Sequence, residues 1–310
     1  MTAHGRLGIG VIGMGKAGPV IGSALRAAGH SIVGVAAQSA DAIERADAVL
    51  PGAPVLPIET LVERSEVVVL AVPDAEIDGL VAGLAELGAW RMGQIVIHLA
   101  GPYGSSILAP AQAAGAIGLA IHPVVRLTGW SVDVQRLVGA PFLVSAPAAF
   151  LPIAQALVVE MGGEPLVVEE DRRAAVDAAL ASGLAGVVAS IARSLETLSL
   201  AGVENPSLLA ARLFTEGAEL ALDESERGLS APFSSGDADA VRAHIRALAR
   251  LDAGPGLVDP TAGGKSAAAR ETSAVAVYAA RAREAVALLA ERGRLSERDV
   301  DALRAALLDS

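Results

Sequence analysis

Residues 7–18 read Leu7-Gly8-Ile9-Gly10-Val11-Ile12-Gly13-Met14-Gly15-Lys16-Ala17-Gly18, and the reading of this stretch decides the fold. An apolar, strand-like run, Leu7–Ile12, passes without a linker into a G-x-G-x-x-G turn that opens a helix-like segment, Ala17–Ala28. Each glycine has its own task in that geometry. Gly13 permits the tight turn, Gly15 removes the side chain that would hold phosphates away from the backbone, and Gly18 lets the helix lie close to the sheet. The first amides of the helix are unpaired and carry the positive end of its dipole, so the turn predicts a pyrophosphate ligand. Met14, Lys16 and Ala17 complete this turn. Dinucleotide binding is the expectation; the alternative is a glycine-rich connection that holds no ligand.

The same strand-then-helix unit recurs downstream. Ser31–Ala36, Glu66–Val72, Gln94–His98, Ala116–His122, Pro141–Ser145 and Glu164–Val168 are short runs rich in Val and Ile. Helix-like stretches lie between them: Ala40–Ala46, Ile58–Arg64, Ala75–Leu87, Ser106–Ala114 and Ala148–Met161. Strands apolar on both faces belong in a parallel sheet covered by helices. The alternation predicts a doubly wound α/β domain, of the Rossmann type, over residues 1–170.

Past Glu169-Glu170-Asp171-Arg172-Arg173 the strand signals stop, and Ala/Leu/Arg segments with helical spacing predict an all-helical domain over 171–310. Asn205-Pro206 reads as a capped helix start, and Ser296-Glu297-Arg298-Asp299 as a capping box. Ala178–Ala192 is apolar all round, which predicts a buried helix. A small helical packet cannot enclose such a helix, so a homodimer formed through residues beyond 170 is expected.

Composition narrows the partners. Of 310 residues, 53% are hydrophobic and 19% charged, which excludes intrinsic disorder. The net charge of −11, with no block of Lys or Arg, argues against nucleic acid or an anionic membrane surface. The apolar run between Asp177 and Arg193 falls short of the ~20 residues of a membrane span. A soluble cytoplasmic protein acting on a small molecule is expected. The chain has no cysteine, which removes thiol chemistry and Cys-ligated metals. His4, His30 and His244 stand far apart without acidic neighbours at ligand spacing, so no metal site is expected.

The end of the second strand bears on the cofactor. An enzyme for NAD usually places Asp or Glu there to hold the ribose hydroxyls. Here the residues are Ala36-Ala37-Gln38-Ser39, and no acid follows until Asp41. Gln38 and Ser39 can donate hydrogen bonds to a 2′-phosphate that a carboxylate would repel. Arg45, on the next helix, is the nearest cation. NADP is favoured, with NAD as the alternative.

Taken with the Gly13–Gly18 turn, Val72-Pro73-Asp74, His98 followed by Gly101, His122-Pro123, and Gly236-Asp237 with His244 resemble the Rossmann-like proteins that carry a DUF2520 domain. That group lies in the 6-phosphogluconate-dehydrogenase-like superfamily, near pyrroline-5-carboxylate reductase. The resemblance implies a cofactor site that includes Val72 and Pro73, and an oxidoreductase acting on a small carbonyl or imine acid, with ketopantoate reduction as one candidate. The chain departs from the family pattern at Ala100, Ser235, Asp177 and Gly183. These departures feed a competing expectation, a cofactor-binding sensor without turnover.

His98 and His122 end strands where ligands of a doubly wound sheet bind, so each is a candidate acid/base; each could instead fix a loop through its carbonyls. Asp177 and Lys265 are weaker catalytic candidates. Asp177 opens an apolar helix and can serve its dipole. Gly263-Gly264-Lys265-Ser266 looks like the end of a phosphate loop, but Asp259 stands where that loop needs glycine.

Two hydrogen bonds from Gln38 and Ser39 to a 2′-phosphate, at ~1.5 kcal/mol each, predict that NADPH binds at least several-fold tighter than NADH. Fluorescence titration of both at equal ionic strength measures this; equal affinities would remove the argument.

Overall fold

The computed structural model describes residues 7–253 and 273–308, so Lys265 and His4 lie outside the described residues. The alternating runs form a single seven-stranded sheet in the order β2-β1-β3-β4-β5-β6-β7. Its strands are β1 (Gly8–Ile12), β2 (Ser31–Ala36), β3 (Val67–Leu70), β4 (Ile95–His98), β5 (Ile117–Pro123), β6 (Pro141–Ser145) and β7 (Glu164–Val167). The α/β reading of the first part holds strand by strand.

The first five strands are parallel, while β6 runs antiparallel to β5 and β7 parallel to β6. The parallel pairing expected from the sequence runs from β2 to β5, and the sequence did not show the turn of direction at β6. A parallel return needs a helix that runs back along the strand. The helix between β5 and β6, Val132–Arg136, has five residues and rises only about 7.5 Å.

Period-two alternation divides the strand side chains between two cores. Val67 and Val69 pack with Val20, Ile21 and Leu25 of α1 (Gly18–Ala27) on one face. Val68 and Leu70 pack on the other with Leu61 of α3 (Ile58–Arg64) and with Ile77, Val81 and Leu84 of α4 (Ile77–Glu86). Helix α2 (Ala40–Val49) follows β2, and α5 (Ala109–Ala113) precedes β5. The helix Val132–Arg136 is α6, and α7 (Leu151–Glu160) precedes β7.

The chain divides into two compact units, Met1–Ser182 and Gly183–Ser310. The division falls inside α8 (Arg173–Leu200), the helix that begins where the strand signals stop. Among the described residues the second unit is helical, with α9 (Pro206–Glu224), α10 (Ala238–Ala253), α11 (Ala274–Glu291) and α12 (Glu297–Leu308). Val241, Ile245, Val286, Leu303 and Leu307 form the core of its α10–α12 packet. Ser296 caps α12 as the sequence predicts, its hydroxyl accepting from the Asp299 amide at 3.2 Å. Asn205 precedes α9 but its side chain makes no capping bond.

The main correction concerns α8. Ala178–Ala192, expected to be buried, is exposed along nearly its whole length: Leu184, Val187 and Val188 are each at least half exposed. By length and composition alone, the helix over Glu170–Leu200 could cross a membrane, with a mean hydropathy of 1.7 over an 18-residue window. It carries an ion pair, Arg193 to Glu196, at 2.7 Å. Helix α9 repeats the exposure, with Leu208, Leu209, Leu213 and Leu222 in water beside the ion pair Arg212–Glu216.

Candidate functional site

Strand order reverses direction at β1, which has β2 on one side and β3 on the other. A parallel sheet opens a crevice at such a switch point. A cavity of about 670 Å³ lies there, and Gly13, Met14, Gln38, Ser39, Val72 and Pro73 all line it. The structure therefore brings together six of the residues that sequence reasoning assigned to the cofactor.

The turn is built for close approach. Gly13 has φ +96°, and a Cβ there would meet the Ala71 carbonyl oxygen at 2.5 Å. Gly18 packs its Cα against the Gly13 carbonyl, with Ala71 Cβ 3.1 Å from where its own Cβ would stand. Gly15 and Lys16 are exposed, and a Cβ on Gly15 would meet nothing within 4 Å. Ala17 is the N-cap of α1 and supplies no side-chain bond, so the donors of the first turn are the Gly18 and Val20 amides, with Pro19 between them offering none. Ser39 caps α2, its oxygen accepting from the Ala42 amide at 3.2 Å, and its own O–H remains a donor.

Arg45, which the sequence offered as the nearest cation, donates to the Met14 carbonyl at 3.0 Å and so supports the turn from α2. Other residues of this region escaped the sequence reading. Glu59 and Glu76 line the same cavity, brought there by helix starts far from the second strand. Gly129 lies against Gly15 and Lys16, held by the buried carboxylate of Asp133, which accepts from the Gly129 amide at 2.8 Å. Burial pushes that carboxyl up, and the donors of Gly129 and Thr128 outweigh it, leaving its pKa below the usual range.

The two histidines have different environments. His98 is fully buried at the end of β4. Its Nε2 donates to the Gly104 carbonyl at 2.9 Å, and its Nδ1 accepts from the Ala100 amide at 3.2 Å. Both nitrogens are thus committed to the loop, in one neutral tautomer. Burial lowers its pKa to about 4. His98 fixes the turn, the second of the two roles that its position allowed.

His122 is partly exposed, and its Nδ1 donates to the Leu99 carbonyl at 2.7 Å, which leaves Nε2 the unprotonated nitrogen of the neutral ring. Gly101 lies between His122 and Asp177. A Cβ on Gly101 would overlap the Asp177 carboxylate and stand 3.4 Å from His122 Cε1. Asp74 completes the group: burial pushes its carboxyl up, His122 pulls it down and Asp177 pushes it up. The sequence reading listed His122 and Asp177 separately; the fold makes them neighbours.

Arg173 and Glu170 fasten this loop and were missed because their charge run reads as a solvated linker. Arg173 is fully buried, donating to the Gly101 carbonyl at 3.2 Å, the Ala100 carbonyl at 3.1 Å and the Ser145 hydroxyl at 3.1 Å. Burial brings its pKa down to about 10. Glu170 accepts from the Ser105 amide at 2.8 Å and from its hydroxyl. Burial raises the Glu170 carboxyl, but the Ser105 and Ser106 donors prevail and hold it below the usual range. Among the described residues no group of His, Asp and Glu is arranged to hold a metal.

The strand order and the cavity at its reversal define a Rossmann-like protein. The family profile for a Rossmann-like domain matches residues 2–123, and that for the domain of unknown function DUF2520 matches 140–257, so the chain belongs to the proteins that join the two. Among curated proteins no sequence matches. Solved structures share the fold at low identity. A protein from Bacteroides fragilis, provisionally named an NADP oxidoreductase, is 16% identical with a TM-score of 0.66, covering 91% of this chain and 98% of its own. An imine reductase from Myxococcus stipitatus in complex with NADP+ is 15% identical with a TM-score of 0.61, covering 97% and 99%. A pyrroline-5-carboxylate reductase from Coxiella burnetii is 18% identical with a TM-score of 0.52, covering 98% and 97%.

The depressed pKa of His98 predicts a pH dependence of stability. Above pH 6.5 the ring is neutral both folded and unfolded, and its contribution is complete. Between 6.5 and about 4 the unfolded chain binds a proton that the folded one excludes, so stability falls by up to about 3 kcal/mol. Urea denaturation of wild type and His98→Gln at pH 7 and pH 4.5 should show a smaller loss in the variant; equal losses would contradict the burial argument.

Proposed function

We propose that the chain is an NADP-dependent oxidoreductase that reduces the C=N bond of a small, basic imine. The observation that carries this reading is the grouping of Asp74, His122 and Asp177 around Gly101, at the strand ends where doubly wound sheets bind their ligands. The dinucleotide fits the residues present: the uncapped first turn of α1 and the bare backbone at Gly15 suit a pyrophosphate. The cavity beside Gln38 and Ser39 has room for the adenosine end. When bound, reduced nicotinamide supplies a hydride.

The protein's part is the proton and the charge. An imine accepts hydride readily only as its iminium form. His122, held through Nδ1 by Leu99, presents Nε2 to receive a proton and pass it to the imine nitrogen. The Asp177 and Asp74 carboxylates stabilise the cationic iminium and disfavour an anionic substrate. Arg173 is out of reach of a substrate carboxylate, since its side chain is fully buried and spends its bonds on the protein. This weighs against a keto acid such as ketopantoate. The solved imine reductases of the same fold support the choice.

The exposed faces of α8 and α9 favour a second copy of the chain as their cover. They flank a groove of about 380 Å³ lined by Ile191, Leu195, Phe214 and Leu222, and exposed apolar faces of this kind mark interaction sites. The ion pairs on both helices suit a protein interface with a polar rim better than lipid.

Two experiments follow. His122→Asn and Asp177→Asn should each lower kcat for NADPH-dependent reduction of 2-methyl-1-pyrroline at least tenfold, out of the ~100- to 10,000-fold that acid–base catalysis supplies, with NADPH affinity within twofold. Wild-type activity confined to 2-keto acids, or absent with both classes, would defeat the imine reading. Light scattering at micromolar concentration should give twice the chain mass of 31.1 kDa, and a monomer would refute the dimer.

A further inference from the structure

Burying a guanidinium costs several kcal/mol unless its donors are met, and Arg173 meets that cost without a carboxylate in hydrogen-bonding contact. Its partners are two consecutive peptide carbonyls, Ala100 and Gly101, and the Ser145 hydroxyl, itself fixed by donating to the Val168 carbonyl at 2.5 Å. The carbonyl just before this pair, Leu99, accepts from His122 Nδ1. The peptide plane that carries the Leu99 carbonyl also holds the Ala100 amide, which donates to His98 Nδ1 at 3.2 Å, and Arg173 holds the two planes that follow, which limits rotation about Ala100. Glu170, three residues earlier, holds the far end of the same loop at Ser105. Asp177, four residues later, lies over Gly101. One helix start thus grips the loop at both ends and delivers a carboxylate to its middle.

We propose that Arg173 is a positioning residue for His122: by holding the Ala100 and Gly101 carbonyls it completes, with the His98 bond to the Ala100 amide, the grip that orients the Leu99 carbonyl, which sets the imidazole tautomer with Nδ1 protonated and Nε2 free. The proposal rests on His122 being the reacting group in the function proposed above. Lysine keeps the charge but not the planar fork that reaches three acceptors, so it does not replace arginine here.

The test uses the full chain with Arg173→Lys. Nitrogen-15 NMR of the imidazoles should show the Nδ1–H tautomer of His122 in wild type and a mixed population in the variant. With 2-methyl-1-pyrroline, kcat should fall at least tenfold, while KM changes less than threefold and NADPH affinity less than twofold. The double variant with His122→Asn should be no slower than His122→Asn alone, within twofold. Multiplicative losses in that double variant, or an unchanged His122 tautomer in R173K, overturn the proposal. If R173K does not fold, Ser145→Ala loosens the same guanidinium and should shift the tautomer in the same direction; no shift there overturns it equally. The tautomer is read without turnover, so inactivity of the wild type on every imine would fail the functional reading alone.

Discussion

A parallel sheet delivers the carboxyl end of every strand to the same edge, and the first unit depends on that constraint. The loops that follow β1, β3, β4 and β5 must share one edge, so Gly13, Val72, Leu99 to Gly104 and His122 become neighbours although they span more than a hundred residues. Close packing there leaves little freedom. The turn after β1 touches the backbone after β3, where a side chain at Gly13 would collide with Ala71. The reversal of strand order at β1 then opens the cavity beside that turn.

The loop after β4 shows how buried polar groups build a site. Four of its backbone groups, the Ala100 amide and the Ala100, Gly101 and Gly104 carbonyls, are met by the buried side chains of His98 and Arg173. A low-dielectric setting makes each of these bonds costly to break, so the loop holds one conformation. The loop in turn fixes His122, the histidine with a nitrogen still free for chemistry. Two histidines at neighbouring strand ends thereby differ: His98 has both ring nitrogens bonded to the loop, and His122 has one.

The helices α8 and α9 differ from this satisfied interior. Their leucines and valines remain in water, while the α10–α12 packet closes its own core. Burying apolar surface favours association, so the same helix that grips the loop at Arg173 carries, further along, the face that we propose a second copy covers.

Local patterning by itself determined the strands, most helices and the glycine turn, because periodicity and the steric freedom of glycine act over a few neighbouring residues. Part of the cofactor cavity was legible for the same reason, since Gln38 and Ser39 follow the second strand, while Val72 and Pro73 were reached through the family resemblance. Helix α6 and the antiparallel direction of β6 were not legible, since five residues carry too little pattern and strand direction depends on the crossover. The tertiary structure alone decided that Arg173 and Glu170 leave an apparent linker to bind a loop some seventy residues earlier. It also decided that Asp177 stands beside His122, and that α8 is exposed where its composition predicted burial. Charge and apolarity in a sequence show what a side chain can pair with; which partner lies within hydrogen-bonding distance is set by the packing of elements distant along the chain.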